Sequence, residues 1–191
     1  MKGVYIFLAD GFEETEALTA TDMLRRGGVD VKIVSNTDSI SVVSTHGIRV
    51  VADMNFADFL ASVPDGGTTD GDFMIFPGGM PGAANLAANG KLMELMLKHY
   101  ADGGSVAAIC AAPGVVLSRL PDLAGRKMTC HDGFGQALAE KGAILSTGGT
   151  ESDGRIVTGR SVGHTVAFGL NILGHIKGRA AAEAVAKSLL L

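Results

Sequence analysis

Cys110 is the residue around which chemistry can be built. It closes the apolar run Val106–Ile109 and is followed by Ala111–Ala112–Pro113–Gly114 and then a helical stretch. A nucleophile at a sharp strand-to-helix turn needs small neighbours, because the tight backbone leaves no room for bulk. Here the neighbours are alanines. The next helix would aim its partial positive charge and free N–H groups at the sulfur, which lowers a thiol pKa and favours the thiolate. The competing reading is a structural cysteine, one of the most commonly buried residue types. Gly78–Gly79 ends another apolar run, Phe73–Phe76, after Pro77. Two glycines there let a pair of backbone N–H groups face a developing oxyanion. Alone they make an ordinary turn; beside a nucleophile they gain weight.

The turn Asp10–Gly11–Phe12–Glu13–Glu14–Thr15–Glu16 is acidic. Carboxylates in a first helical turn complement the dipole, and capping accounts for Glu13 and Glu14. The same charges argue against a flavin or nucleotide phosphate at that helix start, and no phosphate-loop or dinucleotide fingerprint occurs elsewhere. Among the histidines, His131 follows Cys130 at a strand end, where it can act as a proton-transfer partner. His164 starts a helix after Gly163, His46 lies in a turn, and His99 and His175 sit near helix ends, where surface or dipole-related roles are the default. No pair has metal-binding helix spacing, so no metal is expected.

The elements that must position these residues alternate. Val4–Leu8, Val31–Val34, Phe73–Phe76, Val106–Ile109 and Arg155–Thr158 read as strands, with helices at Glu14–Arg26, Phe56–Ser62, Leu92–Tyr100, Gly114–Leu120, Phe134–Lys141, His164–Ile176 and Ala180–Leu189. Ser41–Ser44 and Ile48–Ala52 flank a turn, Met128–Thr129 and Ile144–Leu145 are short strands, and Pro64–Asp72 is a polar loop. Strands apolar on both faces, alternating with helices, imply an α/β fold: a mostly parallel sheet covered on each side, in one domain over 1–191. Such sheets bind ligands outside the carboxyl ends of their strands, where Asp10, Gly78–Gly79 and Cys110 all lie.

Composition bounds the partners. Hydrophobic residues make up 47% and charged residues 19%, a globular balance, and a net charge of −4 offers no basic footprint for nucleic acid. Arg25 and Arg26, an adjacent pair, suit a helix end. The apolar stretch after Lys2 is too short for a signal core, and no run approaches a membrane span, so a cytoplasmic protein with no membrane partner is expected. Two cysteines, Cys110 and Cys130, need no disulfide.

Three segments then stop being generic. Phe7–Leu8–Ala9–Asp10–Gly11–Phe12–Glu13–Glu14–Thr15–Glu16, Phe76–Pro77–Gly78–Gly79–Met80–Pro81–Gly82 and Ala107–Ala108–Ile109–Cys110–Ala111–Ala112–Pro113 together resemble the ThiJ/PfpI superfamily, in the deglycase branch. The resemblance runs over nearly the whole chain, through Asp22–Met23–Leu24–Arg25–Arg26–Gly27–Gly28. It implies a flavodoxin-like three-layer sandwich, usually a homodimer, with Cys110 as nucleophile and Glu16 as the carboxyl group hydrogen-bonded to it. Beside a thiolate, Glu16 would be protonated. Gly78, Gly79 and the Ala111 N–H would line the anion site, and His131 falls where some members carry a histidine. The implied activities are glutathione-independent glyoxalase, taking methylglyoxal to lactate, and deglycation of glycated amino acids, with no cofactor. Oxidative-stress sensing through Cys110 or chaperone action is the alternative.

The chain departs from the family pattern at several places. Ala111 replaces the histidine of the peptidase-like branch, so a peptidase triad is unsupported. Ser161–Val162–Gly163–His164 replaces a Gly-Pro-Gly-Thr segment, His46 stands where some members place an arginine, and Cys130–His131–Asp132–Gly133 replaces Cys-Tyr-Pro-Gly.

Overall fold

The computed structural model describes residues 1–63 and 66–191. Strand β1 (Val4–Leu8) leads through helix α1 (Glu14–Arg26) to β2 (Val31–Ser35), the hairpin β3 (Ser41–Val43) and β4 (Arg49–Val51), β5 (Met54–Asn55) and α2 (Phe56–Ser62). The chain continues through β6 (Phe73–Phe76), α3 (Gly82–Ala88), α4 (Gly90–Ala101), β7 (Ser105–Ile109), α5 (Ala112–Val115), β8 (Lys127–Met128) and α6 (Gln136–Glu140). It closes with β9 (Ile144–Leu145), β10 (Thr150–Asp153), β11 (Ile156–Gly159), α7 (Thr165–Lys177) and α8 (Arg179–Ser188).

The main sheet runs β10-β11-β7-β6-β1-β2-β5 and is parallel except for β10 against β11. Every residue of β6 and β7 is buried, because central parallel strands are covered on both faces. Successive side chains alternate between two cores. Phe7, Phe76 and Ala108 pack with Phe59, Leu86 and Met96, whereas Ile6, Ile75 and Ile109 pack with Leu24, Phe168 and Ile172. Helices α2, α3 and α4 therefore cover one face and α1 and α7 the other. This is the expected flavodoxin-like sandwich. From β1 the chain steps outward to β2, then returns to place β6 on the other flank of β1. That reversal opens a crevice at the carboxyl ends of β1 and β6.

The structure departs from the pattern reading at weakly patterned segments. Helix α3, alanine-rich with one large apolar residue, Leu86, is an element the pattern does not declare. The polar strand Thr-Glu-Ser-Asp of β10 exists only through antiparallel pairing with β11. The helix expected over Gly114–Leu120 is one turn at α5 followed by a 3-10 turn at Leu117–Arg119. Strands β8 and β9 pair with each other outside the main sheet. Of the loop expected over Pro64–Asp72, Pro64 and Asp65 lie outside the described residues. Among the described residues no helix is long and apolar enough to cross a membrane.

His99 corrects the surface role assigned to it. It is fully buried near the end of α4, with Nε2 donating to the carbonyls of Asp72 (3.1 Å) and Ser105 (3.0 Å), and Nδ1 has no partner. Burial holds its pKa below the ordinary 6.5. The unfolded chain therefore takes up this proton first, so stability is full above about pH 6.5 and is lost as pH falls below it. Urea unfolding at pH 7.5 and 5.5 checks this: the midpoint difference between wild type and the less stable His99→Leu should be smaller at pH 5.5 than at pH 7.5, a comparison in which pH effects common to both proteins cancel. An equal difference at the two pH values would refute it.

Candidate active site

Three loops converge at the crevice, one from each of β1, β6 and β7. Cys110 ends β7 with φ of 66°, in the left-handed region that costs a non-glycine residue about 1–2 kcal/mol. Two bonds hold it there: its N–H donates to Gly159 O in β11 (3.0 Å) and its carbonyl accepts the His131 N–H (2.8 Å). Ala108, Ala111 and Ala112 around it are buried, which is why small residues occupy those positions.

Glu16 arrives from the first turn of α1. Glu13 caps that helix by accepting the Glu16 N–H on its own carboxylate (2.6 Å), which turns the Glu16 side chain inward. Glu16 has no exposed surface. Its Oε2 accepts the Gly78 N–H (2.8 Å), its carboxyl faces the Cys110 thiol, and Oε1 has no N–H partner.

The β6 loop supplies amides. Gly78 was expected to offer its N–H to the anion site, but that donor belongs to Glu16. The N–H groups of Ala111 and Gly79 are the ones that face the Cys110 sulfur. Gly79 has φ of 84°, and a Cβ there would lie 2.4 Å from the Glu13 nitrogen. Its bare Cα lets the β6 loop lie directly on the β1 loop, secured by Glu13 N–H to Gly78 O (3.0 Å) and Gly82 N–H to Gly11 O (3.1 Å).

The electrostatics of the pair overturn the expectation of a depressed thiol pKa. Burial, then the Glu16 carboxylate, push Cys110 up to about 12, against which the Ala111 and Gly79 amides pull less strongly. Burial likewise pushes Glu16 up to about 7. Two anions in one dry site repel, so above neutrality the pair carries one negative charge and shares one proton. The resting form this supports is a thiol beside a carboxylate able to accept its proton. The helix that was to depress the pKa is the single turn α5, too short to carry a full dipole.

His131 lies on the exposed loop after β8. Its main-chain N–H is tied to the elbow carbonyl, and a positive charge on its ring would lower the Glu16 pKa. Nδ1 is 2.8 Å from Asp132 O, and a carbonyl only accepts, so Nδ1 carries a hydrogen and the neutral ring has its lone pair on Nε2. Beside it lies a cavity of about 280 Å³ lined by Cys130, His131, Asp132, Leu145, Ser146 and Thr147. A larger one, about 580 Å³ between Tyr100, Arg119 and Arg155, is formed by none of the residues of this crevice.

The remaining sequence candidates separate. Cys130 is half-buried, and its thiol is pushed up by burial and Asp132. His164 bonds Ser161 Oγ (3.2 Å) and packs over Gly149. His46 pairs with Glu14 (2.8 Å), a contact invisible in sequence. Arg160, not singled out from the sequence, bonds both the His131 loop and the Thr147 loop.

Residues 2–175 match the DJ-1/PfpI family. Protein DJ-1 homolog A of Arabidopsis thaliana is 36% identical over 190 residues, covering 100% of this chain and 47% of that protein. The chain thus spans less than half the length of that relative. Glutathione-independent glyoxalase DJR-1.2 of Caenorhabditis elegans is 28% identical, with 94% of this chain and 90% of that protein covered. Among solved structures, a cysteine-to-alanine mutant of a DJ-1 superfamily protein from Salmonella typhimurium is 31% identical, with TM-score 0.86 over 100% of this chain and 98% of that one.

Proposed function

The chain belongs to the DJ-1/PfpI family, and on that premise we propose that it is a cysteine-dependent enzyme of small reactive carbonyls, a glyoxalase turning methylglyoxal into lactate without glutathione. The observation that carries this reading is the Glu16 carboxyl buried against the Cys110 thiol on a strained elbow. A similar protein in Caenorhabditis elegans bears the name of that activity. The same reading has the protein working as a cytoplasmic homodimer.

In this mechanism Glu16 accepts the thiol proton as the Cys110 sulfur bonds to the aldehyde carbon. The carbonyl oxygen becomes an oxyanion held by the Gly79 and Ala111 N–H groups and then takes that proton from Glu16, completing a hemithioacetal and restoring the carboxylate. His131 Nε2 or Glu16 removes the hydrogen on that carbon as a proton and returns it to the neighbouring carbon. The hemithioacetal hydroxyl gives its proton to the former ketone oxygen, so the former ketone becomes an alcohol and the former aldehyde a thioester. Water then adds to the thioester, the C–S bond breaks, and lactate leaves while the sulfur regains its proton. The product is methylglyoxal plus water, so the overall reaction needs no external oxidant or reductant.

The test is lactate formation from methylglyoxal by the purified protein, set against Cys110→Ala. The variant is expected to fall to the rate of buffer alone. Equal rates in the two proteins would remove the reading.

A further inference from the structure

We propose that Arg160 is a positioning residue, a clamp that fixes the direction and tautomer of the His131 ring beside the Cys110 elbow. The proposal rests on the reading above, in which His131 carries a proton.

Little else holds His131. Its loop leaves β8, a two-residue strand outside the main sheet. Before His131 the loop is tied by the Thr129 N–H to Thr158 Oγ1 (2.9 Å) and by Thr129 Oγ1 to Gly148 O (2.9 Å). At His131 the main-chain N–H meets Cys110 O. The ring meets Phe134 edge-on, 6.0 Å between centroids, and makes one hydrogen bond, Nδ1–H to the Asp132 carbonyl; that bond sets its tautomer, so what fixes Asp132 bears on the ring.

Arg160 fixes Asp132. Nη2 donates to both carboxylate oxygens, at 2.9 and 3.2 Å, while Nη1 donates to Thr147 O at 2.7 Å. The Arg160 main-chain N–H is given to Gly149 O (2.9 Å). A planar guanidinium can bond two directions at once, which a lysine ammonium cannot do with the same rigidity. Asp132 is 80% exposed and Arg160 29%, so the pair adds little to stability; its consequence is geometric. Arg160 also follows Gly159, whose carbonyl holds the Cys110 N–H. One residue thus joins the end of β11, which anchors the nucleophile, to the loop that carries the histidine.

The experiment compares wild type, Arg160→Gln, Arg160→Lys, His131→Gln and the double variant Arg160→Gln/His131→Gln. General acid–base groups contribute about 10²–10⁴ in rate, and misdirecting one forfeits part of that, so kcat should fall about tenfold in Arg160→Gln with KM within about twofold. Arg160→Lys should fall between that variant and wild type. The double variant should be no slower than His131→Gln, because the clamp acts only through the ring. Imidazole nitrogen NMR supplies a readout independent of turnover: the Nδ1–H form of His131 in wild type and a mixture of tautomers in Arg160→Gln. A tautomer change with no lactate from any variant supports the clamp and sinks only the glyoxalase reading. An unchanged tautomer in Arg160→Gln, or a double variant slower by the product of the single effects, overturns the clamp.

Discussion

Replacing Glu16 by glutamine should make the protein more stable above neutral pH and nearly inactive. Glu16 is held up at about 7 against an ordinary 4.5, because burial disfavours its charge. The unfolded chain therefore releases this proton near 4.5, while the folded chain keeps it to about 7. Stability is complete below 4.5, declines as pH rises between those values, and stays reduced above. The difference, 7 − 4.5 = 2.5 units, corresponds at about 1.4 kcal/mol per unit to a cost of roughly 3 kcal/mol at pH 8. Glutamine keeps an oxygen for the Gly78 N–H but carries no charge, so about 1–3 kcal/mol of that cost should return as a higher urea midpoint at pH 8. The gain should vanish at pH 4. Glutamine cannot accept the thiol proton, so kcat/KM should fall about 10²–10⁴-fold. The wild-type rate should rise with pH through a midpoint near 7, as the carboxylate appears. A glutamine variant less stable than wild type at pH 8, or one that keeps the rise in rate, would contradict this assignment.

The contrast between what sequence conveyed and what it hid follows from range. Val4–Leu8, Phe73–Phe76 and Val106–Ile109 are continuous apolar runs because central parallel strands are covered on both sides, so the sheet was legible from periodicity. The strand ends then marked Cys110 and Gly78–Gly79 as the places for chemistry. Glu16 entered only through a resemblance, since no local spacing couples the first turn of α1 to the end of β7. The direction of the thiol pKa was misread for the same reason. A dipole argument uses the residues that follow Cys110, whereas the larger effects are burial and a carboxylate brought in from α1. His99 and Arg160 were likewise set by partners distant in the chain: the carbonyl of Asp72 for one, Asp132 and Thr147 O for the other. Polar β10 and alanine-rich α3 carry no period strong enough to declare them.

Gly78→Ala should be as damaging to activity as removal of Glu16, although alanine differs from glycine by one methyl group. Its backbone needs no left-handed conformation, since Gly78 is absent from the positive-φ residues; the constraint is space. A Cβ there would lie 2.6 Å from Cys110 Cβ, 2.7 Å from Glu16 Oε2 and 3.0 Å from Ile109 O. Ile109 O belongs to the central strand β7, and Cys110 is fixed by bonds to β11 and to His131, so neither yields cheaply. The carboxyl is the group that can give, and moving it breaks the Gly78–Glu16 bond and withdraws the base from the thiol. Overpacking of this kind costs about 1–3 kcal/mol, and kcat should fall by about 10² or more as the base loses its reach. Gly90→Ala is the matched control, because a Cβ there meets nothing within 4 Å, and it should leave both stability and rate near wild type. Iodoacetamide alkylation against pH adds a readout at the sulfur. With the carboxylate displaced, the amides of Gly79 and Ala111 act on the thiol with less opposition, so the Cys110 profile of Gly78→Ala should move to lower pH. A Gly78→Ala protein with wild-type turnover and an unmoved alkylation profile would mean that the thiol and the carboxyl do not act as one pair.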